Sequence, residues 1–288
     1  MPTDPIQLAL TAFEFSLLLF GVVLLGMLMF SGKFRARWWR TNRLPHWPLA
    51  LAEFAMYMLA LFAGGFVFQS LIRILFGKFI SESTDQAGLE VIFYGAGLDG
   101  GALIGWLLFP VLRRAWHTDY GVSPPEESPA VPAPDWGKSL LYGIGTVSMS
   151  LPIIILLSLG WTSLLEALGL PDDPQDSIAI FANAKSPLVV VGMLSVACVL
   201  APVMEELLFR AGLYRYCRQK LGRTSALLIS GLVFGLVHGN WAGFVPLSFL
   251  GVMLAMVYEA TGSIRVAIIA HAFFNLNSIL AILSGLKM

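Results

Sequence analysis

The chain has 288 residues, 57% of them hydrophobic and only 12% charged, with a formal net charge of zero. Soluble domains carry about 25% charged residues, so this composition excludes a water-soluble globule and points to an all-α, polytopic membrane protein. The neutral balance lacks the basic surface that a nucleic-acid partner requires.

Apolar stretches of about 20 residues or more can cross a bilayer as helices. They fall near 6–30, 48–75, 87–112, 137–159, 188–214, 225–240, 243–260 and 264–285, which predicts eight helices. The first, Ile6–Phe30, follows Asp4 and no basic residue, so it reads as a retained helix rather than a cleaved signal. Lys33, Arg35, Arg37, Arg40 and Arg43 follow it. The third stretch carries Gly97, Gly101 and Gly105 at four-residue spacing, a seam that lets membrane helices pack closely. After it come Arg113, Arg114 and the proline-rich "YGVSPPEESPAVPAPDWG", read as an extended linker. This organisation predicts a three-helix segment over 1–116, a linker over 117–136 and a C-terminal membrane core over 137–288. The loop "PDDPQDSIAIFANAKSP" reads as a partly ordered cap on the opposite face, with Asp172, Asp173 and Asp176.

Arg215, Arg218, Lys220 and Arg223 follow the fifth stretch, so the basic loops alternate along the chain and share one side. The positive-inside rule makes that side cytoplasmic and leaves both termini outside. The sixth and seventh stretches are short and joined by little more than "HGNWAG"; Gly231, Gly235 and Gly239 form a second small-residue seam. Cys198 and Cys217 lie in or beside apolar runs without zinc-type spacing, and read as packing residues.

An ionisable side chain in hydrocarbon costs several kcal/mol and needs a partner, a wet cavity or a function. Glu53, Glu90 and Glu259 lie near span ends and read as interfacial, whereas Glu14 and Asp99 lie deeper. Asp99, on its glycine seam, reads equally as a helix-packing hydrogen bonder or as a partner of a site. The C-terminal stretches carry a tighter pattern: E-E-x-x-x-R at Glu205, Glu206 and Arg210, F-x-x-x-H at Phe234 and His238, and H-x-x-x-N at His271 and Asn275. Glu206 and Arg210 are four apart and share a helix face. Glu205 points about 100° away, free to face another neighbour. His271 and Asn275 also share a face. Counted from the basic ends at about 1.5 Å per residue, Glu205 sits roughly 15 Å deep, His238 roughly 21 Å and His271 roughly 10 Å, within reach of one cavity.

No serine or cysteine stands beside a histidine in these motifs, so water is the natural nucleophile. Glu205, assisted by His238, would act as general base for attack on a peptide carbonyl. His271 and Asn275 would donate hydrogen bonds to the oxyanion, and Glu206–Arg210 would provide structural support. Glu205, His238 and His271 could equally hold a divalent metal such as zinc, although H-E-x-x-H is absent. The sequence leaves both chemistries open.

The ordered motifs resemble those of the CPBP intramembrane protease family, which includes type II CAAX prenyl endopeptidases and the bacteriocin-processing or immunity proteins of the Abi group. The resemblance covers roughly 187–285 and has no departure at the motif positions. It implies an all-helical core with a cytoplasm-facing cavity. It also implies that Glu205 and His238 activate water while His271 and Asn275 stabilise the oxyanion. The expected protein is an intramembrane endopeptidase acting on a membrane-associated peptide or protein, multi-pass in a bacterial plasma membrane. The alternatives are a non-catalytic membrane partner or immunity protein of the same fold, and a proton-coupled transporter, for which no inverted repeat is visible.

Overall fold

The computed structural model describes residues 5–38, 44–45, 47–120, 132–172, 180–181 and 183–283. Among them are the helices α1 Pro5–Phe30, the short α2 Gly32–Trp38, α3 Leu51–Ser81, α4 Gln86–Tyr120, α5 Trp136–Leu168, α6 Pro187–Leu221, α7 Arg223–Val237, α8 Trp241–Thr261 and α9 Ile264–Leu283. All except α2 and α7 are long and apolar enough to cross a membrane. This is an all-α polytopic membrane protein. Residues 121–131 of the proline-rich linker, Arg40, Arg43, Asp173, Asp176 and most of the expected cap lie outside the described residues.

The expected sixth span is the one that differs in kind. Its 15 residues rise about 22 Å, short of a hydrocarbon core of about 30 Å. The helix stops where His238 caps it, and Gly239 turns the chain with φ 63°. Such a left-handed turn suits a residue without Cβ. Asn240 then opens α8 by accepting the Gly243 N–H at 2.7 Å. A helix that ends at depth leaves its last carbonyls exposed, and the candidate site lies at this end.

Small residues set the close contacts, as the two seams suggest. A Cβ on Gly101 or Gly105 of α4 would collide with backbone of Gly64 or Ala60 on α3. A Cβ on Gly231 or Gly235 of α7 would collide with Ser248 or Phe244 of α8. Gly21 brings α1 against the backbone of α5 at Ser148, so α1 packs on the C-terminal helices. The α3–α4 pair docks on α6, where the Tyr57 hydroxyl donates to the Leu207 carbonyl at 2.6 Å and its ring lies beside Gly212.

Two of the expected interfacial carboxylates are buried instead. Glu53 accepts from Arg113 Nε at 2.6 Å and contacts His117 Nε2 at 2.9 Å, while its other oxygen takes the Ala50 N–H. Glu259 pairs with Arg218 at 3.0 Å and Arg223 at 2.6 Å. Basic residues that mark one side of the protein thus also neutralise the carboxylates buried there.

Candidate active site

α6 carries the first motif and changes pitch on both sides of it. Val196–Leu200 and Leu207–Tyr214 are π-helical, and Ala201–Glu206 between them is α-helical. Such segments widen a helix and recur at functional sites. Pro202 gives a local reason for the first: in the i→i−5 pattern the N–H of residue 202 would satisfy the Ala197 carbonyl, and proline has none. The vacant acceptor is taken by Asn275 Nδ2 of α9 at 2.7 Å.

The two adjacent glutamates have separate surroundings. Glu206 is fully buried, and its Oε1 accepts from Arg210 Nη1 at 2.8 Å and from His271 Nδ1–H at 2.9 Å. Arg210, also fully buried, donates from Nη2 to the Gly251 carbonyl at 3.0 Å and lies 4.4 Å from the centre of the Phe234 ring. A buried charge needs such compensation. Glu205 instead keeps 27% of its side chain accessible. Its Oε2 is buried without a hydrogen-bond partner, 3.8 Å from His238 Nε2 and 3.8 Å from His271 Nε2.

The histidines reach this point from two helices. His238 Nδ1–H donates to the Phe234 carbonyl at 2.6 Å, one of the free carbonyls at the end of α7. His271, 2% accessible, donates through Nδ1 to Glu206. With both Nδ1 positions committed, both Nε2 atoms face Glu205. Phe234 fixes the rings: it is fully buried and packs on His238 at 4.8 Å and His271 at 5.5 Å between ring centres, with the Arg210 guanidinium over it.

A separation of 3.8 Å is too long for a direct hydrogen bond and suits a bridging water. It is also wider than the roughly 3.3 Å ligand spacing around a tetrahedral zinc with bonds near 2.0–2.1 Å. Among the described residues no three His, Cys, Asp or Glu side chains converge as metal ligands do. The side chains as arranged do not fit a zinc ion.

Glu205, Glu206, Arg210, His238 and His271 therefore meet in one place, on α6, α7 and α9, while Asn275, one turn along α9 from His271, is held against Ala197. Three features were not read from the sequence. Glu206 holds His271 as well as Arg210. Phe234 is the hub of the rings. Asn275 is anchored on Ala197, with one amide N–H used there. Pro202, inside an apolar run three residues before the glutamates, is the available signal for the last.

The profile described as "Type II CAAX prenyl endopeptidase Rce1-like" matches residues 187–277, which span α6 to α9. The "Putative membrane peptidase YdiL" of Bacillus subtilis (strain 168) is 31% identical over 83 residues, covering 29% of this chain and 34% of that protein. The match thus spans about a third of the length of this curated relative. No solved structure matches the chain significantly. The matched segment contains E-E-x-x-x-R, F-x-x-x-H and H-x-x-x-N in order, so the C-terminal third of the chain is similar to type II CAAX prenyl endopeptidases of the Rce1-like kind.

Proposed function

We propose that the protein is an intramembrane endopeptidase, which hydrolyses a peptide bond of a membrane-associated protein or peptide. The observation that carries this reading is the uncommitted Glu205 Oε2, equidistant from two imidazole Nε2 atoms. A water in that gap meets a carboxylate and an imidazole as proton acceptors. Glu205 takes a proton from it while the water oxygen bonds to the substrate carbonyl carbon, and His238 Nε2 orients the water through its second hydrogen. The carbonyl becomes an oxyanion.

Two donors are available for that charge. One is the Asn275 amide hydrogen not used by Ala197. The other is His271 Nε2 when the ring carries both protons, a charge balanced by Glu205 and Glu206 on its two sides. Arg210 offsets the charge of Glu206, so that Glu206 can hold His271 without itself competing for the water's proton. No metal takes part in this scheme. The ends of α4 and α6 that carry Arg113, Arg114, Arg215, Arg218 and Lys220 face the cytoplasm, in the plasma membrane of a bacterium.

The test is cleavage of a lipid-anchored peptide library by the purified chain in bilayers. Wild-type protein yields defined fragments and Glu205→Gln yields none. Undiminished fragmentation by Glu205→Gln would remove the base and with it the proposal.

A further inference from the structure

The family match covers α6 to α9, yet a carboxyl on α4 lies within electrostatic reach of Glu205. α4 and α6 run parallel in a regular register. Gly88 meets Val189, Ile92 meets Gly192 and Gly95 meets Val196, so partner numbers differ by 100 or 101 at each step. Further along, Ala102, Leu103 and Trp106 pack in one cluster with Met204 and Leu207. Residues 88, 92, 95, 99, 102 and 106 form one stripe at three- and four-residue spacing, and the position between Gly95 and Ala102 is Asp99. The register sets it beside Leu200, one to two turns from Glu205.

The Asp99 and Glu205 carboxyls interact electrostatically. Among the described residues Asp99 has no hydrogen-bonded or cationic partner, and a Cβ on the adjacent Gly100 would meet nothing within 4 Å. A lone carboxyl among membrane helices without a partner calls for a wet cavity or a function.

We propose that Asp99 is the acid that protonates the leaving amine, facing Glu205 across the cavity. This rests on the endopeptidase reading, which needs a proton at the amide nitrogen before the C–N bond can break. The Nδ1 protons of both histidines are committed to Phe234 and Glu206, and the Nε2 proton assigned to His271 is engaged by the oxyanion. In this cycle Glu205 starts as the base, so the proton for the leaving amine starts on Asp99. Water gives one proton to Glu205 as its oxygen bonds to carbon. The tetrahedral intermediate collapses, the C–N electron pair takes the proton from Asp99, and the amine leaves. Glu205 returns its proton to Asp99 through cavity water, which restores both groups. The N-terminal helices thereby become part of the site.

The test uses the full chain in bilayers with a quenched, lipid-anchored peptide cleaved by the wild type, and with an aryl ester of the same acyl segment. A phenolate leaves without protonation, so an acid matters far less for the ester. Asp99→Asn is expected to lower kcat on the amide about 100-fold or more with KM within about threefold of wild type, and to slow the ester only severalfold. Glu205→Gln loses both reactions. Equal amide turnover by Asp99→Asn and wild type, or equal losses on amide and ester, overturns the role of Asp99 and leaves the endopeptidase reading standing. Wild-type protein that cleaves neither substrate overturns both. If Asp99→Asn does not fold, Asp99→Ser is read in the same way.

Discussion

Glutamate to glutamine at two adjacent positions should have opposite consequences. Glu206 is fully buried and accepts two hydrogen bonds from cationic or ring donors, at 2.8 and 2.9 Å. Hydrogen bonds involving a charged group contribute about 1.5–3 kcal/mol each. Removing one partner of a buried ion pair costs about 3–5 kcal/mol, because the other charge is left uncompensated. The two routes agree, and the Gly251 carbonyl and the Phe234 ring relieve Arg210 only in part. Glu206→Gln should therefore destabilise the fold by about 3–4 kcal/mol, a shift of more than a hundredfold in the unfolding equilibrium. Glu205 Oε2 has no partner to lose, so Glu205→Gln should change stability by less than about 0.5 kcal/mol while abolishing turnover. The assay is equilibrium unfolding in mixed micelles, followed by tryptophan fluorescence, beside cleavage on the same preparations. The double variant Glu206→Gln, Arg210→Met should recover part of the loss, because it removes both charges. If Glu206→Gln is as stable as wild type, or Glu205→Gln is the less stable of the two, the division of labour is wrong.

Other outcomes follow from the packing. Gly235→Ala should destabilise by about 1–3 kcal/mol, because its Cβ would overlap Ser248 and Phe244, whereas Gly145→Ala, with nothing within 4 Å, should be neutral or mildly stabilising in the same unfolding assay. Pro202→Ala restores an N–H that competes with Asn275 for the Ala197 carbonyl; turnover should fall at least severalfold without loss of stability, and unchanged turnover would separate the π segment from the site. Incubation with a strong chelator, followed by gel filtration, should leave the cleavage rate unchanged. A rate restored only by added zinc would refute the metal-free scheme.

Membrane class, the seven long apolar helices and the polar motifs could be read from the chain because they depend on composition and on helix periodicity. Glu206 with Arg210, and His271 with Asn275, are four apart, so each pair was placed on one face without any tertiary information. The short α7 was visible as a short apolar run. What it achieves was not, because the depth at which a helix stops depends on how its neighbours are tilted.

Contacts between helices were harder to read. Nothing local in "MEELLFR" says that Glu206 also holds His271, 65 residues away, and the anchoring of Asn275 on Ala197 depends on a π turn. The burial of Glu53 and Glu259 follows the same rule. Each looked like a surface carboxylate near a helix end, and its arginine partners came from other helices. Asp99 is intermediate. Its glycine seam marked the face toward α3, whereas the stripe through Gly88, Ile92 and Gly95 toward α6 emerged only from the contacts.

Hydrolysis at this site turns on the identity of the nucleophile. A single turnover of excess protein with the lipid-anchored peptide in oxygen-18 water, analysed by mass spectrometry, reports where the new oxygen goes. Direct attack by water held between Glu205, His238 and His271 predicts one heavy oxygen in the new carboxylate of the product and none in the protein. Heavy oxygen in the Glu205 side chain, with an unlabelled product, would mean a covalent acyl-glutamate and would contradict it.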